Sequence, residues 1–211
     1  MNHIIFDLDG TLLASMHVWR TVGIDYLAKF GISAPDGFFD FMKEHTITQT
    51  CEHMSSVLGV PQTPEEIAAG IAAVVDNAYR NIVQLKPNVL NFLEQEYAKG
   101  TKMCILTASE NSFVLPAIDR LQLHKYFEFI MPCSEINSSK DFSLPYEVAM
   151  ERMGGTIAST LVMEDALYAI KGAKSGGFTV YAVAEDTAMD DFKEIVATAD
   201  KYIEDFKEIL D

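Results

Sequence analysis

A chain of 211 residues, 49% hydrophobic and 22% charged, fits one domain or one domain with a modest insertion, and is too apolar for a disordered segment. Its formal net charge of −15 argues against a nucleic-acid partner, which needs clustered Lys and Arg, and against an anionic membrane surface. Acidity leaves a small phosphorylated metabolite open as partner, provided a metal and a local Lys reverse the sign inside its site.

Cys51, Cys104 and Cys133 are scattered, odd in number and outside any metal-ligand spacing, which suits a reducing compartment. From Asn2 the chain runs straight into an apolar segment, with no basic region before it. No run approaches the ~20 apolar residues of a membrane span, so a cytoplasmic location is expected. The oligomeric state stays open, and a monomer is compatible with the sequence.

His3–Leu8 reads as a buried strand, β-branched and aromatic-rich, and ends in Asp7-Leu-Asp9-Gly-Thr11. Packing gives no reason for two acids at a strand's end, where they repel unless a cation neutralises them. A hard divalent ion such as Mg²⁺ is the natural guest, because it takes oxygen ligands and keeps positions open for water or phosphate.

From Leu12 to Pro87 only helical patterns follow. Trp19, Val22, Tyr26 and Phe30 make one stripe, closed by Gly31, and Ile47, Cys51, Met54 and Leu58 another, closed by Gly59. Thr63, Pro64 and Glu66 form a capping box that opens a helix striped by Ile67, Ile71, Val74, Ala78 and Ile82. About 70 residues of helix is a small second domain and not a loop.

Beyond it, apolar strands at Lys102–Thr107, Phe127–Met131, Thr160–Glu164 and Phe178–Val183, with a weaker one at Lys201–Ile203, alternate with amphipathic helices. One helix shares Val89, Leu90, Leu93 and Tyr97 on a face and ends at Gly100. Another carries Tyr146, Ala149, Met150 and Met153, with Ser143 as N-cap and Gly154 as terminator. A third repeats Ala166, Ala169, Ile170 and Ala173 before Gly176 and Gly177. Pro116 means the helix after Thr107 starts only a few residues before it. Continuous apolar strands alternating with helices predict a doubly wound parallel α/β sheet covered on both faces.

In such sheets ligands bind beyond the carboxyl ends of the strands. Asp7 and Asp9, Thr107, and Glu164 with Asp165 all fall there, and Lys140 lies in the loop before the Ser143 helix. Thr107 and the N–H of Ala108 can donate to a phosphate oxygen, with Ser109 a further candidate.

Asp7-Leu-Asp9-Gly-Thr11-Leu resembles the first motif of the haloacid dehalogenase superfamily, most of whose members are Mg²⁺-dependent phosphatases. Met103-Cys-Ile-Leu-Thr107-Ala-Ser109 resembles the second. Lys140-Asp-Phe-Ser-Leu-Pro-Tyr146-Glu-Val-Ala149 is similar to the third, Lys-Pro-x-Pro-x-x-Tyr-x-x-Ala, without either proline in register. Leu161-Val-Met-Glu164-Asp165 through Gly176 resembles the Glu-Asp-Ser-x-x-Gly-Ile-x-Ala-Ala-Lys-x-Ala-Gly pattern of the β-phosphoglucomutase-like branch, with Ala166 and Ala169 for the usual Ser and Gly.

The resemblance implies a catalytic α/β core over residues 1–13 and 87–211 and a helical cap over 14–86. It implies that Asp7 attacks phosphorus, Asp9 protonates the leaving oxygen, and Thr107 and Lys140 complete the catalytic set. Thr107, Ala108, Ser109 and Lys140 would bind the phosphoryl group. Mg²⁺ would be held by Asp7, Asp9 through its backbone carbonyl, Asp165, and Glu164 as ligand or anchor. The expected activity is hydrolysis of a small phosphorylated metabolite through an aspartyl phosphate.

In the cap the likeness thins. Ala14 replaces a usual Asp, Trp19 stands where a His is usual, and His17 is read as a surface or packing residue. Lys43, His45, Gln49 and Arg80 are candidate substrate contacts. Ile47 falls where a mutase would place its cap base, which disfavours a sugar-phosphate mutase. A receiver-type phospho-accepting signalling domain is the rival from another class, and the 70-residue insertion stands against it. Dehalogenation would not need the acid at Asp9, and intact core motifs disfavour a non-catalytic binder.

Overall fold

The first apolar run becomes β1 (His3–Phe6), and the computed structural model describes residues 1–210 apart from the side chains of Lys43 and Glu44. Four helices follow, α1 (Met16–Ala28), α2 (Phe38–Glu44), α3 (Ile47–Ser56) and α4 (Pro64–Asn81). The remainder alternates: α5 (Val89–Lys99), β2 (Lys102–Thr107), α6 (Asn111–Arg120), β3 (Ile130–Pro132), α7 (Leu144–Met153), β4 (Thr160–Glu164), α8 (Leu167–Ser175), β5 (Thr179–Val183), α9 (Phe192–Thr198) and β6 (Lys201–Ile203). The chain divides into two compact units, Met1–Ala14 with Val83–Asp211, and Ser15–Ile82.

Among the described residues the strands form one six-stranded sheet in the order β3-β2-β1-β4-β5-β6, every pair parallel. This is the doubly wound α/β architecture expected from the sequence. The winding reverses between β1 and β4, so the crevice at their carboxyl ends is the topological switch point. Alternate strand side chains point to opposite faces. Ile5, Cys104, Val162 and Val180 lie in register and pack with Tyr146 and Met150 of α7 and Ile170 of α8. Phe6 takes the other face, edge-on to Phe92 of α5 with centroids 6.2 Å apart.

The chain enters and leaves the core segment along a short ladder. Ala14 N–H donates to Gln84 O at 2.9 Å, Lys86 N–H to Leu12 O at 2.9 Å, and Leu13 faces Leu85 in an antiparallel bridge.

Several boundaries differ from the sequence expectation. β1 stops at Phe6 although Leu8 is fully buried, because the Leu8 carbonyl is taken by a turn, accepting from Leu12 and Leu13 N–H at 3.0 and 2.8 Å. β3 begins three residues late, since Phe127 N–H closes a 3-10 turn on His124 O. Phe178 N–H is still tied to Ala173 O, so β5 starts at Thr179. Ser143 begins α7 but its side chain makes no capping hydrogen bond. Pro116 sits inside α6, in its second turn.

The buried helix faces also shift. In α5, Leu90 and Tyr97 are exposed while Phe92 and Glu96 are buried. Glu96 tolerates this because Lys99 and Thr101 donate to its two carboxylate oxygens at 2.9 and 2.7 Å. Val75 replaces Val74 in the core of α4, and Ile47, Phe30 and Ile82 are exposed. α1 buries Val18, Val22, Tyr26 and Leu27, while Trp19 is partly buried and its Nε1 donates to Tyr79 OH at 2.9 Å.

The capping box of α4 is present, with Thr63 N–H donating to Glu66 Oε2 at 2.9 Å and Glu66 N–H to Thr63 Oγ1 at 3.3 Å. Thr63→Ala is expected to lower stability by about 1 kcal/mol in urea titration, and a change under about 0.3 kcal/mol would contradict that role.

Candidate active site

Asp7 leaves the end of β1 with its N–H donating to Met163 O of β4 at 2.9 Å, which fixes its backbone beside Glu164. Gly10 has φ 90°, a left-handed turn that carries the chain sharply away after Asp9 and brings Thr11 back to the site. Thr11 Oγ1 then donates to Asp165 Oδ1 at 3.2 Å.

Lys140 reaches in from its loop and is 2% exposed. Its Nζ donates to Asp7 Oδ1 at 2.5 Å and to Glu164 Oε1 at 2.7 Å. Burial alone would lower its pKa, but Asp7 and Glu164 outweigh that and hold the ammonium above its ordinary value. Glu164 Oε1 also lies 3.1 Å from Tyr146 OH, and Glu164 Oε2 accepts the N–H of Asp165 at 3.3 Å. Tyr146 OH is equally close to Ala169 O, but its single proton favours the carboxylate.

Asp7, Glu164 and Asp165 each offer a carboxylate oxygen within 4.8 Å of the others, and all three are buried. One ammonium cannot neutralise three such groups. Burial pushes the Glu164 carboxyl up, and although Lys140 pulls it back, Asp7 adds to the rise and leaves it at about 7. Asp165 is driven well above the carboxylate range by burial, then by Asp7 and Glu164. Asp7 Oδ2 is buried with no hydrogen-bond partner. A crowded, all-oxygen, over-negative cluster fits a hard divalent cation such as Mg²⁺.

The remaining predicted residues gather at the neighbouring strand end. Thr107, 1% exposed, closes β2. Its Oγ1 accepts the N–H of Ser109 at 3.0 Å, and Ser109 Oγ donates to Asp9 Oδ2 at 2.7 Å. Ser109 therefore holds Asp9 in this structure. Ala108 is exposed at the same turn. The side chain of Asp9 is not part of the three-carboxylate cluster.

Thr11 and Tyr146 were legible as motif letters but carried no assigned role. Asn111 lies outside every motif. Its Oδ1 is buried without a partner at the first residue of α6, two residues past Ser109, and nothing in a lone Asn after a strand end signals it.

In the helical unit the candidate contacts are engaged locally. His45 stacks on Phe41 with centroids 3.9 Å apart, and its Nδ1 lies 2.8 Å from Phe41 O. Gln49 closes a capping box with Thr46, and Arg80 Nε pairs with Asp76 at 2.7 Å. The side chain of Lys43 lies outside the described residues. His17 is exposed.

Curated relatives include the phosphoglycolate phosphatase of Shigella dysenteriae serotype 1, 24% identical over 196 residues, which span 82% of this chain and 77% of that protein. Among solved structures, a HAD hydrolase from Entamoeba histolytica superposes with TM-score 0.82 at 20% identity, covering 100% of this chain and 96% of that one. CbbY from Rhodobacter sphaeroides, solved in complex with phosphate, gives TM-score 0.79 at 17% identity over 99% and 96% of the two chains. The family model of the haloacid dehalogenase-like hydrolases matches residues 4–183, from the first strand through β5 and so across every residue gathered at the switch point, and the chain belongs to that family.

Proposed function

We propose that this hydrolase is a Mg²⁺-dependent phosphatase that cleaves a small phosphorylated metabolite through an aspartyl phosphate on Asp7. The observation that carries the reading is the asymmetry of Asp7, whose Oδ1 is pinned by Lys140 while Oδ2 is buried and bare. A carboxylate held by one oxygen presents the other in a fixed direction, which is what in-line attack on phosphorus needs.

In this reading Asp7 Oδ2 forms the new bond to phosphorus as the bond to the leaving alkoxide breaks. Asp9 enters protonated and gives its proton to that alkoxide. It next takes a proton from the water that cleaves the aspartyl phosphate, regenerating Asp7 and releasing phosphate. Ser109, donating to Asp9 Oδ2 at 2.7 Å, aims the carboxyl for both transfers. Thr107 accepts from Ser109 N–H and keeps its own proton for a phosphoryl oxygen. The Lys140 ammonium offsets repulsion between Asp7 and the incoming phosphate.

Asp7, Asp165 and the Asp9 carbonyl would hold Mg²⁺, which when bound neutralises charge on the transferring group. Glu164, with both oxygens already accepting hydrogen bonds, holds Lys140 and Tyr146 in place. Membership of a hydrolase family favours turnover over stoichiometric signalling, and a relative named for phosphoglycolate points to a small phosphorylated acid as the first substrate to try.

The test is release of phosphate from an aryl phosphate and from phosphoglycolate, with Mg²⁺ and with chelator. Equal rates in both would sink the metal dependence. Isomer accumulating from a sugar 1-phosphate faster than free phosphate appears would move the reading to a mutase.

Protons and metal compete for the same carboxylates. Because burial, Asp7 and Glu164 hold the Asp165 carboxyl well above the carboxylate range, fewer anionic ligands exist at low pH. Added Mg²⁺ is therefore expected to raise the melting temperature more at a pH of about 8 than at about 5.5. Equal shifts at the two pH values in thermal scans would contradict the assignment.

A further inference from the structure

Lys140 must deliver its ammonium to Asp7 from a loop, so the position of its backbone sets where the charge sits. The loop is a tight turn, with Phe142 N–H donating to Ser139 O at 3.2 Å and Ser139 Oγ to Asp141 Oδ2 at 2.8 Å. Neither of the in-register prolines of the pattern it resembles is there to stiffen it.

Its support comes from α8. A Cβ built on Gly172 would lie 1.9 Å from the Lys140 carbonyl oxygen and 3.0 Å from the carbonyl carbons of Lys140 and Asp141. The obstruction is backbone, which cannot swing aside as a flexible side chain can. Gly172 is not among the glycines with positive φ, so its conformation does not require glycine. It is also inside a helix, where glycine weakens the element. What it supplies is the missing Cβ. One turn on, a Cβ on Gly176 would lie 2.8 Å from Ser143 Cβ, so the far end of the same loop also rests on α8.

We infer that Gly172 is a positioning residue: by letting the Lys140 carbonyl seat directly on the α8 backbone, it sets the depth at which the Lys140 ammonium meets Asp7. This rests on Lys140 serving phosphoryl transfer, as proposed above.

The experiment compares wild type with Gly172→Ala, Gly176→Ala and Lys171→Ala. Lys171 is on the same helix but pairs outward with Glu194 at 2.7 Å. Two quantities are read: kcat for an aryl phosphate, normalised to folded protein, and the rate of reductive methylation of each lysine by peptide mass spectrometry. Wild-type Lys140 should be protected, as should Lys86, which is 12% exposed in its pair with Glu185.

In Gly172→Ala, Lys140 alone is expected to react at least about tenfold faster, with kcat down by at least about tenfold. Gly176→Ala should shift both in the same direction by less, and Lys171→Ala neither. Lys140 still protected with kcat within about twofold of wild type would overturn the inference, as would exposure of Lys140 without loss of kcat. Lys86 and Lys140 becoming reactive together would mean general loosening, and would also overturn it. Should Gly172→Ala fail to fold, Gly176→Ala decides, and unchanged Lys140 reactivity there counts against the seat. An inactive wild type whose Lys140 still becomes reactive in Gly172→Ala would sink the phosphatase reading and leave the seat standing.

Discussion

Asp7→Asn is expected to lower turnover of an aryl phosphate by at least about a thousandfold while leaving the protein folded. Asparagine fills the same volume, and Lys140 keeps its second partner, Glu164, at 2.7 Å. The amide is no nucleophile, and it removes one of three crowded carboxylates. Free of metal, the variant should therefore melt no lower than wild type, while the rise in melting temperature on adding Mg²⁺ shrinks. Retention of a tenth of the activity would end the nucleophile assignment. Collapse of the fold would show that Asp7 is needed for packing and not only for chemistry.

Lys140→Met attacks the same cluster from the other sign. Methionine replaces the buried stem but leaves Asp7, Glu164 and Asp165 with no ammonium among them. Breaking a buried ion pair from one side typically costs about 3–5 kcal/mol, because an uncompensated charge is left behind. The cost should depend on pH. Glu164 stands at about 7 in the folded protein against an ordinary 4.5, so the fold retains a proton that the unfolded chain has lost. That contribution to stability is complete below about 4.5 and gone above about 7. Without Lys140 the carboxyl rises further, so the variant should approach wild-type stability near pH ~5 and fall well below it near pH ~8. Chemical denaturation of metal-free protein at the two pH values measures this, and a deficit independent of pH would contradict it.

The positions of the acids were legible because each one terminates an apolar run, where packing offers no reason for charge. β2 and β4 begin and end where their apolar runs do, and the motifs at their ends converge in space. Partnership was not legible. That Ser109 holds Asp9, that Thr11 holds Asp165, and that Glu164 spends both oxygens on hydrogen bonds follow from side-chain geometry that no spacing encodes.

The exchange of Tyr97 for Glu96 on the buried face of α5 has a similar cause. Hydropathy ranks a carboxylate as exposed, but Lys99 and Thr101 satisfy this one locally, so its burial costs little. Gly172 reads in sequence as a weak spot in a helix, and only the loop lying against it gives the residue a purpose. In the helical unit the stripes located the helices, but His45, Gln49 and Arg80 each proved to have a neighbour within four residues. Short-range partners of that kind are easy to mistake for groups waiting for a ligand.

The ladder that joins Leu12–Ala14 to Gln84–Lys86 makes the core indifferent to what lies between. To the sheet, the whole helical insert is a single loop whose ends are already clamped side by side. The entropy of closing such a loop grows only with the logarithm of its length, about 0.6 kcal/mol for each doubling. An insert of twice the size, or a short turn in its place, would leave β1 in register and Asp7 at its post. The length of the helical unit is therefore set by its own packing and not by any demand of the sheet.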